Sequence, residues 1–316
     1  MTDRGLLDLM IIHIPGLKPV EQGSLCGRFN GEEDLERLSK GALEAILGRP
    51  LRYFVPPGEL RRLAEQDEKA ARLLGIRMVS LASAGYPPLL RELYDPPVLI
   101  FYRGTLPDGE KPMAAMVGTR RAHGTALKAA FEIGRDLGRL GISVVSGLAL
   151  GIDAASHRGN LEGGGRTYAV LGSGADEIYP SSNRPLARRI LETGGGILSE
   201  YPPGTSPRKW RFPARNRIIS ALARGTLIVE APAKSGALIT ARFALEQGRD
   251  LWVSAAGAAS GGAAALVEDG AGIVYSAFDI TRDWGLDLAP EDRGKAEGDS
   301  IGRTLAASLA RELTIG

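Results

Sequence analysis

The chain is poor in the residues that build metal centres and covalent cross-links. Its 316 residues include one cysteine, Cys26, and only three histidines. A single cysteine excludes an internal disulfide and a cysteine-based metal cluster, and it suits a reducing compartment. Because histidines are also scarce, we expect no metal site. We also expect no bound cofactor.

Long hydrophobic runs and a large charge imbalance are also absent from the sequence. The apolar run over 6–17 is interrupted by Asp8, His13 and Pro15, so it is too short and too polar for a signal peptide or a membrane span. The formal net charge is only +2, so any nucleic-acid binding must come from local clustering of basic residues. We expect a cytoplasmic protein that does not associate with membranes.

Between about 111 and 282, short apolar segments alternate with patterns of helical period. The apolar segments are continuous runs rich in Val, Ile and Ala, which is typical of parallel strands buried on both faces. Strands are predicted near 114–117, 142–146, 167–171, 197–199, 226–230, 251–255 and 273–275. Helices are predicted near 125–140, 153–162, 184–194, 215–223, 237–247 and 262–269. The alternation predicts an α/β fold with an extended Rossmann-like, doubly wound and mostly parallel sheet.

The segments on either side of 111–282 predict smaller units. Residues 1–75 carry short helical patterns and predict a small helical domain. It could be a helix-hairpin-helix or SAM-like module on a nucleic-acid backbone, or a cap for solubility or docking. Residues 76–110 form a proline-rich lead-in, with a short helix and a strand, that we expect to pack on the main domain. Residues 283–316 are expected to be a short tail with one helix over 301–313.

Five glycine-rich or basic loops follow predicted strands. A buried strand that ends in glycine and opens a helix presents backbone N–H groups and the positive end of the helix dipole to a phosphate. In a doubly wound sheet such loops share one edge. The loop residues expected to face a ligand are Gly118, Thr119, Arg120, Arg121, Ser146, Gly147, Lys234, Ser235 and Gly236. The loops lack a Walker A spacing and a full Gly-x-Gly-x-x-Gly, which disfavours ATP hydrolysis and hydride transfer.

Basic and aromatic residues are interleaved over 200–230. Between Glu200 and Glu230 there is no acidic residue, and Trp210 and Phe212 lie among the basic side chains. The basic side chains are those of Arg208, Lys209, Arg211, Arg215, Arg217 and Arg224. This mixture suits a single-stranded nucleic acid, because guanidinium groups bind phosphates and rings stack on bases. The alternative is a solvated basic face with Trp210 in the core.

Three further polar residues near these loops are interpreted as structural. Asp153 and His157 are four residues apart and share a helix face, so they could act as an acid–base pair. We favour the alternative that Asp153 caps the helix and holds the glycine turn while His157 packs nearby. Glu230 ends a strand and is expected to orient Arg215 or Arg217.

Several of these motifs resemble the bacterial DNA-processing protein A family, DprA/Smf. The resemblance spans roughly 80 to 275, with the motifs in order and at the spacing of the family. The motifs are Met-Val-Gly-Thr-Arg at 116–120, Val-Ser-Gly-Leu-Ala-Leu-Gly-Ile-Asp at 145–153 with His157, Ala-Val-Leu-Gly-Ser-Gly at 169–174, Ser-Glu-Tyr-Pro at 199–202, Phe-Pro-Ala-Arg-Asn-Arg-Ile-Ile at 212–219, and Val-Glu-Ala at 229–231 with Ser-Gly-Ala-Leu-Ile-Thr-Ala at 235–241.

The resemblance implies an extended Rossmann domain that binds single-stranded DNA, forms a homodimer and loads the recombinase RecA on incoming DNA during natural transformation. It also implies protection of that DNA from nucleases, with no enzymatic activity. Carried over residue by residue, it adds Arg215, Asn216 and Arg217 to the loop residues of the DNA pocket. Many members add a C-terminal winged-helix domain, for which the residues after Arg282 are too few.

A nucleotide-processing enzyme is the alternative function from a different class. Related Rossmann sheets host phosphoribohydrolases, whose catalytic motif is Gly-Thr-x-x-Glu. After Thr240 the matching position is Phe243. The sequence therefore lacks the carboxylate that this chemistry requires.

Overall fold

A computed structural model of the chain describes residues 5–286, in which nine β-strands form one sheet. The strands are β1 (Arg77–Ser80), β2 (Leu99–Gly104), β3 (Met113–Val117), β4 (Ser143–Ser146), β5 (Thr167–Leu171), β6 (Gly196–Ser199), β7 (Gly225–Ile228), β8 (Asp250–Ser254) and β9 (Gly272–Val274). The sheet order is β1-β2-β6-β5-β4-β3-β7-β8-β9.

Helices precede the sheet and connect its strands. The α-helices within residues 5–286 are α1 (Gly5–Ile12), α2 (Pro19–Arg28), α3 (Glu32–Glu36), α4 (Lys40–Leu47), α5 (Pro57–Leu73), α6 (Pro88–Arg91), α7 (Gly124–Arg139), α8 (Ile152–Glu162), α9 (Arg184–Glu192), α10 (Arg211–Ala221), α11 (Ala237–Glu246), α12 (Gly261–Glu268) and α13 (Ala277–Asp283). Residues up to 277 form one compact unit, which contains everything described below. The helix predicted over 301–313 lies outside the described residues.

The strand order confirms the prediction of a doubly wound, mostly parallel sheet. Strands β3 to β9 pair in parallel, and the order runs outward from β3 through β4, β5 and β6 on one side and through β7, β8 and β9 on the other. All five residues of β3 are buried, as expected for a strand covered by helices on both faces. The order reverses between β3 and β7, and α/β sheets bind ligands outside the carboxyl ends of the strands at such a reversal.

The lead-in segment adds two antiparallel strands to this sheet. Strand β2 pairs with β6, and β1 pairs with β2. The sequence predicts β2 but not β1, because a four-residue strand with two polar members carries little periodic signal. The two strands pair the backbone groups that β6 would otherwise leave free at the edge of the sheet.

Helices α1 to α5 confirm that the N-terminal part is helical. They pack through a cluster of buried apolar residues that includes Leu7, Leu25, Phe101 and Ile197. Polar contacts lie around this cluster. The Ser80 hydroxyl of β1 donates to the buried Asp8 carboxylate, and His13 Nε2 lies 2.7 Å from Asp67 Oδ2. Within residues 5–286, no helix combines the length and the apolar character needed to cross a membrane.

Helices α7 and α8 pack closely because glycines line their contact. A Cβ atom at Gly134 would lie 2.7 Å from the Ser156 carbonyl oxygen, and one at Gly159 would collide with the Phe131 carbonyl group. Asn160 Nδ2 reinforces the pair by donating to the carbonyl groups of Gly134 (3.2 Å) and Ile142 (3.0 Å). Both helices begin at the carboxyl edge of the sheet, so their packing sets the positions of two loops there.

The Gly159→Ala substitution is expected to lower the free energy of unfolding by about 1–3 kcal/mol, because the methyl group forces two backbones apart. Where no such collision occurs, replacing glycine by alanine inside a helix stabilises the helix by about 1 kcal/mol. Urea unfolding of both proteins measures the difference. Gly124→Ala is the matched control, because a Cβ atom there meets nothing within 4 Å. Equal stability of Gly159→Ala and the wild type would contradict the packing argument.

Candidate nucleic-acid interface

A cleft of about 630 Å³ opens where the strand order reverses. Its walls are the loop after β3, the first turns of α8 and α10, and the loop between β7 and α11. Of the residues predicted from the sequence, it is lined by Gly118, Thr119, Arg120, Arg121, Asp153, Arg215, Asn216, Ser235 and Gly236. Gly147 lines a smaller adjoining pocket of about 50 Å³ with Arg120 and Arg215. The tertiary structure thus brings most of the candidate residues together.

Three other candidate residues line neither the cleft nor the adjoining pocket. Ser146 is fully buried, and its Oγ donates to the Met116 carbonyl oxygen at 2.6 Å, which ties β4 to β3. Lys234 is exposed in the loop before α11. Arg217 is a residue of α10 and is buried. Their roles as nucleic-acid ligands stay predictions.

The loop after β3 presents two exposed arginines. Gly118 is required at its start, because a Cβ atom would lie 2.5 Å from Ile152 Cγ1 and 2.9 Å from the Glu230 carbonyl oxygen. The Thr119 N–H donates to the same oxygen at 2.9 Å. Arg120 and Arg121 follow and are exposed. The Arg120 guanidinium carbon lies 5.2 Å from the centroid of the Phe212 ring, within the range of a cation–π contact.

The turn after β4 is held by side-chain amide and carboxylate groups. Leu148 has a left-handed backbone with φ 56°, and Asn183 Nδ2 donates to its carbonyl oxygen at 2.8 Å. Asp153 Oδ2 accepts from the N–H groups of Gly147 (3.1 Å) and Ala149 (3.3 Å). This is the turn-holding contact expected for Asp153, but the prediction that Asp153 caps α8 is wrong, because the N-cap residue is Gly151. The turn is therefore fixed in a conformation that a free chain would rarely adopt.

Arg215 is buried beneath this turn. Its Nη1 donates to the Val170 carbonyl oxygen of β5, and a Cβ atom at Gly147 would collide with its guanidinium group. Burial lowers the pKa of Arg215 to about 10, and the nearby Asp153 carboxylate opposes this shift. Burial likewise raises the pKa of Asp153, and Arg215 opposes that. Arg215 therefore remains cationic at neutral pH and supplies positive charge under the floor of the cleft.

Arg217 is held by two carboxylates. Its Nη2 lies 2.8 Å from Glu200 Oε2, and its Nε lies 3.0 Å from Asp95 Oδ2. Burial acts to lower the pKa of Arg217, but Glu200 and Asp95 outweigh that effect and raise it. The charge of Arg217 therefore links α10 to the end of β6 and to the lead-in segment.

The prediction that Glu230 orients Arg215 or Arg217 is wrong, because Glu230 contacts His123. Its Oε2 accepts from the His123 N–H at 3.0 Å, and its Oε1 lies 2.5 Å from His123 Nδ1. The carboxylate at the end of β7 faces the start of α7, where backbone N–H groups have no partner within the helix. Glu230 therefore fixes the N-terminus of α7, while Glu200 and Asp95 orient Arg217.

His157 is buried as a neutral side chain. Its Nδ1 lies 2.7 Å from Thr167 Oγ1, and within the described residues its Nε2 has no hydrogen-bond partner. Burial, together with the positive charge of Arg215, lowers the pKa of His157 to about 3. A histidine with this pKa does not exchange protons with Asp153 near neutral pH. The geometry thus gives His157 a packing role.

Three cleft residues lie outside the predicted set of DNA-binding residues. Lys209, Phe212 and Tyr179 also line the cleft. The Tyr179 and Phe212 ring centroids are 5.7 Å apart, so they form a small aromatic wall beneath Arg120. The interleaving of basic and aromatic residues over 200–230 was the signal that could have included Lys209 and Phe212, whereas Tyr179 lies outside that segment. Trp210 is 63% exposed, so it does not lie in the core.

Within residues 5–286, no three side chains of His, Cys, Asp or Glu are grouped so that they could hold a metal ion. The ligand groups that the cleft does offer are guanidinium and ammonium groups, backbone N–H groups at helix starts and aromatic rings. These groups bind phosphates and bases. The fold and the cleft together define an α/β protein whose cleft at the switch point presents cationic and aromatic groups.

Comparison with known proteins identifies the family. Residues 77–285 match the model of DNA recombination-mediator protein A, so the chain belongs to that family. It is 40% identical over 217 residues to DNA processing protein DprA of Bacillus subtilis, covering 67% of this chain and 72% of that protein. It is 33% identical over 272 residues to Protein Smf of Borreliella burgdorferi, covering 86% of each chain.

Solved structures show the same fold. An X-ray structure of DNA processing protein A from Streptococcus pneumoniae matches with a TM-score of 0.73 and 33% identity, covering 90% of this chain and 99% of that one. A structure of DNA processing protein A from Helicobacter pylori, which concerns the single-stranded DNA binding mode of that protein, matches with a TM-score of 0.61 and 28% identity, covering 68% and 97%.

The Glu200→Gln substitution tests whether Arg217 is a structural residue. It leaves the buried guanidinium with one carboxylate fewer, so we expect a loss of about 3–5 kcal/mol in the free energy of unfolding. Urea denaturation gives the value. Glu246→Gln is the control, because Glu246 pairs with Arg242 at the surface with side-chain exposures of 55% and 72%, where ion pairs contribute about 0–1 kcal/mol. Equal effects of the two substitutions would contradict a structural role.

The buried His157 predicts a pH dependence of stability. The unfolded chain binds a proton on His157 below the ordinary pKa of 6.5, whereas the folded protein does so only near pH 3. The free energy of unfolding should therefore fall as the pH drops from 6.5 towards 3, by up to about 1.4 kcal/mol per pH unit for this proton. His157→Gln should remove this component, and denaturation at several pH values measures it. Parallel pH profiles of the two proteins would argue against a neutral buried His157.

Proposed function

We propose that the chain binds single-stranded DNA in the cleft at the switch point of the sheet. The observation that carries the proposal is the arrangement of Arg120 over the Phe212 ring, next to Tyr179 and Lys209. Guanidinium and ammonium groups neutralise phosphates, and rings stack on bases that are not already paired. The relative from Helicobacter pylori, whose structure concerns single-stranded DNA binding, supports the same ligand class.

The distribution of charge supports binding through local contacts. The net charge of the whole chain is only +2, yet the cleft has Arg120, Arg121 and Lys209 at its surface and the buried Arg215 beneath it. The helix starts of α8 and α11 add backbone N–H groups. Strand sequence should matter little, because backbone contacts and stacking tolerate any base.

In the cell, we infer, this binding serves recombination without chemistry on the DNA. The protein protects incoming single strands from nucleases and loads the recombinase RecA on them during natural transformation. It acts in the cytoplasm as a homodimer. Membership of the recombination-mediator family supports this role. Phe243, which stands where the related phosphoribohydrolases carry a catalytic carboxylate, supports binding over nucleotide hydrolysis.

A salt-titrated binding isotherm with a labelled single-stranded oligonucleotide tests the cleft. Arg120→Ala should weaken binding and reduce the slope of log affinity against log salt by about 0.7, because one phosphate contact is lost. Arg242→Ala is the control, since Arg242 is an exposed arginine of α11 outside the cleft lining. It should leave the slope unchanged.

Two results would contradict the proposal. One is a slope that Arg120→Ala and Arg242→Ala change equally, which would place binding outside the cleft. The other is no binding of single-stranded DNA by the wild type at low salt. In that case titration with mononucleotides tests the nucleotide-processing alternative directly.

A further inference from the structure

Trp210 is a large aromatic side chain that the fold leaves in solvent. It is 63% exposed, whereas Trp252 in β8 is 4% exposed. Trp210 immediately precedes α10 and lies outside the lining of the cleft, but Lys209 before it and Phe212 after it both line the cleft. The exposed indole is therefore continuous with the proposed DNA site. A base that stacks on the indole would remove this apolar surface from water, which is favourable.

The indole is held in place by a cation between two rings. The Arg211 guanidinium carbon lies 4.9 Å from the Trp210 ring centroid and 4.7 Å from that of Tyr201. The Trp210 and Tyr201 rings meet edge to face at 88°, with centroids 6.4 Å apart. Arg211 Nη1 also donates to the Ser206 carbonyl oxygen. Trp210 is thus fixed in position while most of its surface stays open, which lowers the entropy lost when a ligand stacks on it.

The surroundings of Trp210 favour an anionic, aromatic ligand. Arg208 and Lys209 are exposed beside it, and the sequence has no acidic residue between Glu200 and Glu230. An apolar peptide or lipid would leave these cations unused. A nucleotide of a single strand satisfies both features, with its base on the indole and its phosphate near the cations.

We propose that Trp210 is a stacking subsite for one nucleobase of the strand that the cleft binds, on the segment that leaves the cleft past Lys209. The subsite rests on the proposed function, because it needs a single strand already held in the cleft. Arg211 and Tyr201 act as positioning residues for the indole. The subsite lengthens the bound segment by at least one nucleotide beyond the cleft.

The test uses the full chain and unlabelled oligothymidylate with intrinsic tryptophan fluorescence, alongside anisotropy of a labelled oligonucleotide. Binding should quench the tryptophan fluorescence of the wild type. The Trp210→Phe protein, which keeps Trp252 and Trp284, should lose this quench. Trp210→Ala should bind roughly 5- to 140-fold more weakly, which corresponds to a stacking energy of about 1–3 kcal/mol. Its salt slope should stay that of the wild type, because no cation is removed. Tyr53→Ala is the matched control, since Tyr53 is an exposed ring with Arg52 over it at 5.3 Å.

The outcomes separate the subsite from the cleft. If Arg120→Ala weakens binding while Trp210→Ala binds like the wild type and Tyr53→Ala, the subsite is wrong and the cleft stands. If the wild type binds no single-stranded DNA, both fail. Circular dichroism checks that Trp210→Ala folds. Should it not fold, the quench of the wild type compared with Trp210→Phe decides, and an equal quench in both overturns the subsite.

Discussion

The site depends on one buried cation, the guanidinium group of Arg215. It lies under the turn after β4, where Gly147 leaves the space that it occupies, and it donates to the backbone of β5. Asp153 offsets its charge and also holds the turn through two backbone N–H groups. Removal of Arg215 would leave the buried Asp153 carboxylate without its cation. Removal of Asp153 would leave the buried guanidinium less compensated and two backbone N–H groups without this acceptor, which is costly in a low-dielectric interior. The floor of the cleft therefore depends on the pairing of Arg215 with Asp153.

The arginines of α10 and of the loop after β3 divide into two kinds. Arg215 and Arg217 are buried and hold elements together, whereas Arg120 and Arg121 are exposed and free to meet a ligand. Arg217 joins α10 to Glu200 and to Asp95 of the lead-in. The lead-in in turn supplies the antiparallel strand that covers the edge of β6. The two ion pairs of Arg217 thus tie α10, which lines the cleft, to a part of the chain that lies far from it in sequence.

The close packing of α7 and α8 positions the rest of the cleft. The glycines at their contact bring the two backbones together, and Glu230 fixes the start of α7 through His123. The loop that carries Arg120 joins the end of β3 to the start of α7, so its position depends on both elements. The loop that carries the exposed Arg120 is in this way anchored at both ends by well-packed elements. This limits the conformational entropy that would be lost on binding a ligand.

The sequence by itself determined the doubly wound sheet and its seven main strands, because buried parallel strands are continuous apolar runs. It also located the loops that form the cleft, because the loops after parallel strands meet at one edge of the sheet. The arginines interleaved with aromatics are also the sequence feature from which the proposed ligand class follows. Only the tertiary structure decided which cations face solvent: Arg215 and Arg217 share a helix turn with Asn216, yet long-range partners at Val170, Glu200 and Asp95 bury both. Local sequence carries no record of such partners, since residues far apart in the chain supply them.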